Sequence, residues 1–170
     1  MATKSKTRVE NPFTEHRRYN RYGVLRVRWP FWLVMVALMR HLLLLLMIGL
    51  SHRGAAGDSI GVMATLIDPK FIPADVPAVI LLFADGARVP SSGGLARFLW
   101  RHGKILMTLS IATFLGIMVW RQGFVPARYS PADVAEIGVN LALLVYVWLS
   151  RYLRDLFAQF PAPDADKTAP

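Results

Sequence analysis

From Phe31 to Leu50 the chain reads FWLVMVALMRHLLLLLMIGL, 20 residues with one firm charge, Arg40. A helix needs about 20 mostly apolar residues to cross ~30 Å of hydrocarbon. A helix apolar on every side has to be buried all round, and a chain of 170 residues is too small to wrap one inside a water-soluble core. Composition agrees: 54% of residues are hydrophobic and 18% are charged, whereas an average soluble domain is ~25% charged. A secretory signal peptide does not fit. The basic preface of 30 residues is too long, and Arg40 interrupts the apolar run such a peptide requires. There is no cysteine, which excludes a disulfide framework and thiolate metal sites. The net charge of +9 would point to nucleic acid in a soluble chain. In a membrane chain it points to topology instead, and no nucleic-acid partner is expected.

Two further segments have the composition of spans. Ile105 to Trp120 carries no charge and is fenced by Lys104 and Arg121; Val134 to Ser150 has Glu136 near its start. Ile72 to Val89 is more polar, with a clean apolar run of only nine residues, Val76 to Ala84. Alone it reads as a buried or re-entrant segment. Basic residues decide the matter, because Lys and Arg in short loops collect on the cytoplasmic side. Residues 1–30 hold eight, 51–71 two, 86–104 four, 121–133 two and 151–170 three. Four crossings with both termini cytoplasmic put the rich segments on one face and the poor ones on the other. The expected fold is therefore an all-α polytopic membrane bundle of about four transmembrane helices, spans about 31–50, 72–89, 105–120 and 134–150. Trp29, Trp32, Trp120, Trp148 and Tyr152 fall at span ends, where aromatic rings anchor at headgroup level.

No segment outside the spans is long enough for a soluble catalytic domain. Residues 1–28 form a basic tail that reads as a ligand for anionic lipid headgroups. Residues 59–67, SIGVMATLI, are apolar but too short to span, and 162–170 read as a disordered tail. LARFLWRHGK (95–104) and SRYLRDLFAQFP (150–161) are amphipathic, as expected of short interfacial helices.

The polar residues inside the spans are the candidates for function. Arg40 and His41 stand mid-way along the first span. An intramembrane Arg costs at least ~2.5–3.5 kcal/mol and should face a partner inside the bundle. The acids at hand are Asp85 and Glu136, with Asp75 and Asp133 nearer the outer ends. The expectation is an Arg40–Asp85 pair docking the second span on the first. His41 is the one histidine placed within hydrocarbon, so a single-imidazole tetrapyrrole site is conceivable; a bis-histidine haem is not, because His52 and His102 lie in opposite flanks. Asn140 is a candidate for an interhelical hydrogen bond. Asp133, Glu136 and Asn140 share one helical face and could form an ion-binding stripe. No catalytic set, metal-ligand spacing or phosphate loop is present.

Three pieces of sequence are similar to uncharacterised four-span bacterial inner-membrane proteins of the YfeZ type: YNRYGVLRVRWPFWLVMVALMRHLLLLL (19–46), IDPKF (67–71) and SRYLRDLFAQFP (150–161). The resemblance implies a bacterial inner-membrane location and no activity. The residues lead to the expectation of a non-enzymatic accessory or scaffold subunit, its partners other integral membrane proteins. A small ion-coupled transporter using Arg40, Asp85 and Glu136 is the alternative, and a pigment- or haem-binding subunit through His41 the third.

Overall fold

The computed structural model describes residues 24–51 and 68–161. The remainder of the N-terminal tail, the 59–67 stretch and the 162–170 tail lie outside the described residues. The described chain is all-α: α1 (Trp29–Leu38), α2 (Arg40–Ser51), α3 (Ile72–Gly86), α4 (Gly94–Arg101), α5 (Gly103–Gln122), α6 (Pro131–Leu149) and α7 (Arg151–Ala158), with single 3-10 turns at Pro69–Phe71 and Pro126–Arg128. Two helices, α5 and α6, are long and apolar enough to cross a membrane, and α1 with α2 makes a third if the bent pair is one span. The second expected span is shorter than 72–89. At 15 residues, α3 rises about 22 Å, because the chain turns at Gly86 and Ala87 before Arg88.

α3 and α5 form the central pair, with α1 and α2 against α3 and α6 against α5. The main core gathers Phe31 and Met35 of α1, Leu81 of α3, Trp100 of α4, Met107 and Ile111 of α5, and Phe157 of α7. At Gly103 a Cβ would overlap the Phe157 ring, so glycine is what lets α7 lie against the start of α5. A smaller core holds Phe71, Ala74, Phe114 and Met118. α6 buries only Asn140 and Val147, leaving an almost fully exposed apolar helix.

The starts of α6 and α7 have a local cause. Ser130, Pro131 and Asp133 make a capping box at α6: Ser130 Oγ accepts from the Asp133 N–H, and Asp133 Oδ2 accepts from the Ser130 N–H at 2.8 Å. Ser150 caps α7 by accepting from the Leu153 N–H, and so breaks α6 from the amphipathic α7. Gly123, at φ +68°, ends α5.

The contacts define two ends of the bundle. At one, Arg88 is buried and donates to the carbonyls of Leu25 (3.0 Å) and Gln159 (3.2 Å), its guanidinium 4.5 Å from the Trp100 ring centroid. Gln159 accepts from the Leu25 N–H, and Trp100 Nε1 donates to the carbonyls of Leu156 and Gln159. The Tyr152 hydroxyl accepts from the Arg28 N–H at 2.7 Å and donates to the Arg26 carbonyl. Burial pushes its phenol above the usual range and keeps it the neutral donor. At the other end Arg121 pairs with Asp68 (2.7 Å) and Gln122 donates to Asp133. The segment before α1 and the segment after α7 thus meet at the same end.

Candidate functional site: the broken first helix

The first apolar run is not one helix. It bends by 75° between α1 and α2. No proline or glycine stands at the bend, so the cause lies in the hydrogen-bond ladder. In an unbroken helix the Ala37 carbonyl would accept from the His41 N–H, and the Leu42 N–H would reach Leu38. Here Arg40 folds back and donates from Nη1 to the Ala37 carbonyl at 3.1 Å. The Leu42 N–H leaves the chain altogether and donates to Asp75 Oδ2 of α3 at 2.7 Å. The regular pattern resumes with Leu43 N–H to the Met39 carbonyl. One side chain plugs the opened ladder from within, and another plugs it from the neighbouring helix.

Asp75 is the centre of the site. It is 1% exposed. Besides capping α2 it accepts at Oδ1 from His41 Nδ1, 2.9 Å away. A carboxylate at a helix N-terminus also meets the positive end of the helix dipole. The His41 ring is held on both faces, stacked on Phe71 (5.4 Å between centroids) and on Phe114 (5.8 Å). Ser110 of α5 donates to the Ala74 carbonyl beside it. α3 is therefore fixed to α2 through Asp75 and to α5 through Ser110, one residue apart.

Arg40 lies at the edge of this site. Its guanidinium is 4.5 Å from the Phe114 ring centroid, and Nη2 stands 3.6 Å from Glu136 Oε2 of α6. The expected Arg40–Asp85 pair is not formed. Asp85 is ten residues further along α3, about 15 Å of helix from Asp75, and stands at the Arg88 end. Nor do Asp133, Glu136 and Asn140 converge as a stripe. Asp133 is used by the capping box and Gln122. Asn140 is buried but donates to the Glu136 carbonyl one turn back in its own helix, not across to a neighbour. His41 is 5% exposed, its Nδ1 engaged by Asp75 and its two faces covered by Phe71 and Phe114. Among the described residues no group of three or more His, Asp or Glu side chains could hold a metal ion.

Trp29, Trp32, Trp120 and Trp148 are exposed at the bundle ends, whereas Tyr152 is tied to the backbone before α1. Asp75 is the residue that sequence reasoning passed over, as an acid near an outer span end. Its signal was its pairing need: a polar Arg40-His41 dipeptide inside one span, with an acid in the first turn of the next.

Glu136 Oε2 stands 3.6 Å from Arg40 Nη2, beyond hydrogen-bond distance, and glutamine keeps a carbonyl oxygen to face the guanidinium. Glu136→Gln should accordingly lower stability by less than ~1 kcal/mol, read as a small change in the thermal midpoint in detergent micelles. A larger loss would mean the pair, and not Asp75, holds the break.

No curated protein and no solved structure matches the chain. A family model described as protein of unknown function (DUF2919) matches residues 14–159, nearly the whole of it. The chain belongs to this DUF2919 family of proteins of unknown function.

Proposed function

We propose that the protein is a non-catalytic accessory or scaffold subunit of a larger complex in the bacterial inner membrane, crossing the bilayer four times with both termini cytoplasmic. The observation that carries the subunit reading is the Arg40–Glu136 pair. It sits between helices of otherwise apolar surface, yet Glu136 keeps nearly half of its side chain uncovered by the chain itself. Acyl chains cannot solvate a carboxylate, so a polar group of a partner helix is the natural cover for it. α6 offers the surface for such a helix, since it packs chiefly on α5 and leaves the rest of its apolar side open. Other buried polar groups are spent on tying helices together: Asp75 on His41 and Leu42, Arg88 on Leu25 and Gln159.

The topology rests on three supports: the meeting of the pre-α1 and post-α7 segments at one end, the basic residues Arg97, Arg101, Lys104, Arg151 and Arg154 around that end, and the positive-inside tendency. The inner-membrane assignment and the finer likeness to the YfeZ type rest on the sequence pieces named above.

The broken first helix favours a second reading, a small ion-coupled carrier. Discontinuous helices with capped half-helix termini are the usual ion-site architecture of secondary transporters. The residues would be Asp75, His41, Arg40 and Glu136; Asp85 is outside the cluster. Extraction of the tagged chain from its native membrane in a mild detergent, with the mass and composition of the intact particle measured, separates the two. Stoichiometric foreign subunits are the expected result. A homo-oligomer free of companions overturns the accessory reading and favours the carrier.

A further inference from the structure

At the end of the bundle where the chain's two described extremities meet, a cavity of about 220 Å³ opens between the α4–α5 joint and α7. It is lined by Arg101, Lys104 and Arg154 together with Ile105, Phe157 and Ala158. We propose that this cavity binds the phosphodiester headgroup of an anionic phospholipid, with the acyl chains running down the exposed face of α5.

Cationic side chains from three helices line the cavity, and no acid does. Arg101 ends α4, Lys104 stands in the first turn of α5, and Arg154 comes from α7, fifty residues on. The acid closest in sequence, Asp155, lies 3.6 Å from Arg154 Nε and is itself largely exposed, so it screens Arg154 without closing the site. This grouping of cations depends on Gly103. Any side chain there would strike the buried Phe157 ring and push α7, with Arg154, away from the start of α5.

The depth fits a headgroup. Lys104 marks the entry of α5, one of the two helices apolar and long enough to cross a membrane. Its ammonium lies 5.9 Å from the ring centroid of Trp148, an exposed ring at the corresponding end of α6. Below the cations, Ile105 and Leu109 stand one turn apart and are each more than half exposed, which continues the wall as an apolar track. A basic pocket between helices above such a track has the form of an anionic-lipid site. A free phosphate would use the cations and leave the track unused.

The test is native mass spectrometry of the purified full chain in detergent, titrated in separate arms with phosphatidylglycerol, phosphatidylcholine and inorganic phosphate. The parent chain is expected to retain phosphatidylglycerol in preference to phosphatidylcholine. Each charge removed should weaken retention roughly fivefold, and R101Q/K104Q/R154Q about a hundredfold. The control K70Q/R128Q, at the opposite end, should match the parent. R154K should keep most of the binding, which separates loss of charge from loss of fold. Equal retention by parent and triple variant overturns the site. Equal retention of the two lipids overturns its charge selectivity, and binding of phosphate without lipid overturns the lipid as its source.

Discussion

Asp75→Leu is expected to destabilise the bundle by about 3–5 kcal/mol, the cost of removing one partner from a buried polar pair. Two donors lose their acceptor at once. The Leu42 N–H belongs to a backbone already diverted from its own helix, and the His41 ring is enclosed by Phe71 and Phe114. A buried donor left unpaired costs about 1–3 kcal/mol, so the two together account for the figure. α2 then has no reason to start where it does. The expected result is a lower unfolding midpoint in micelles, together with faster amide hydrogen exchange at Leu42. Asp75→Asn keeps one carbonyl oxygen and should recover part of the loss. Combining Asp75→Leu with His41→Leu should cost less than the sum of the single changes, because the second change removes a donor that the first had orphaned. If Asp75→Leu unfolds within ~1 kcal/mol of the parent, the bend is set by Arg40 alone.

The sequence carried the long helices and little of how they are broken and joined. Ile105 to Trp120 and Val134 to Ser150 are apolar over a length that permits few alternatives, and Ser130-Pro131 with Asp133 three residues after Ser130 marks the start of α6 as plainly as local chemistry allows. The 75° bend had no such mark. Helix breaks are read from proline and glycine, and the residues around Met39 include neither. The break is made by a tertiary bond from a residue 33 positions away from Leu42, which periodicity cannot register. The same limit misplaced the partner of Arg40. Counting residues along straight spans makes Asp85 a candidate. Once the first helix turns, Arg40 is carried to α6, and Glu136 is the acid it meets. Arg88 shows the converse error. Counted as one of four loop cations that set topology, it is in fact buried and holds the chain's two described extremities together.

That end of the bundle yields the second large effect. Trp100→Ala should cost about 3–5 kcal/mol, the range for truncating a buried Trp or Phe. Trp100 is fully buried, packed at 5.0 Å from Phe157 and 6.1 Å from Phe31 between ring centroids, with Arg88 above its face. Its Nε1 is also the donor for the carbonyls of Leu156 and Gln159, where α7 ends. Ring and N–H separate through Trp100→Phe. Phenylalanine retains much of the ring and the cation contact but leaves both carbonyls without this donor, so a loss of about 1–3 kcal/mol is expected from the hydrogen bonds. The two variants should also differ in place. Truncation to alanine opens a cavity beneath α1, α4 and α7 together, so unfolding stays one cooperative event at a lower midpoint. Loss of the N–H alone frees the last turn of α7 and the Gln159 contact to Leu25, so limited proteolysis should cut near residues 156–160 while α5 and α6 stay intact. Equal cleavage of parent and Trp100→Phe would show that Arg88, the other donor to Gln159, is enough to hold the segment. Adding Arg88→Met to Trp100→Phe should then release it.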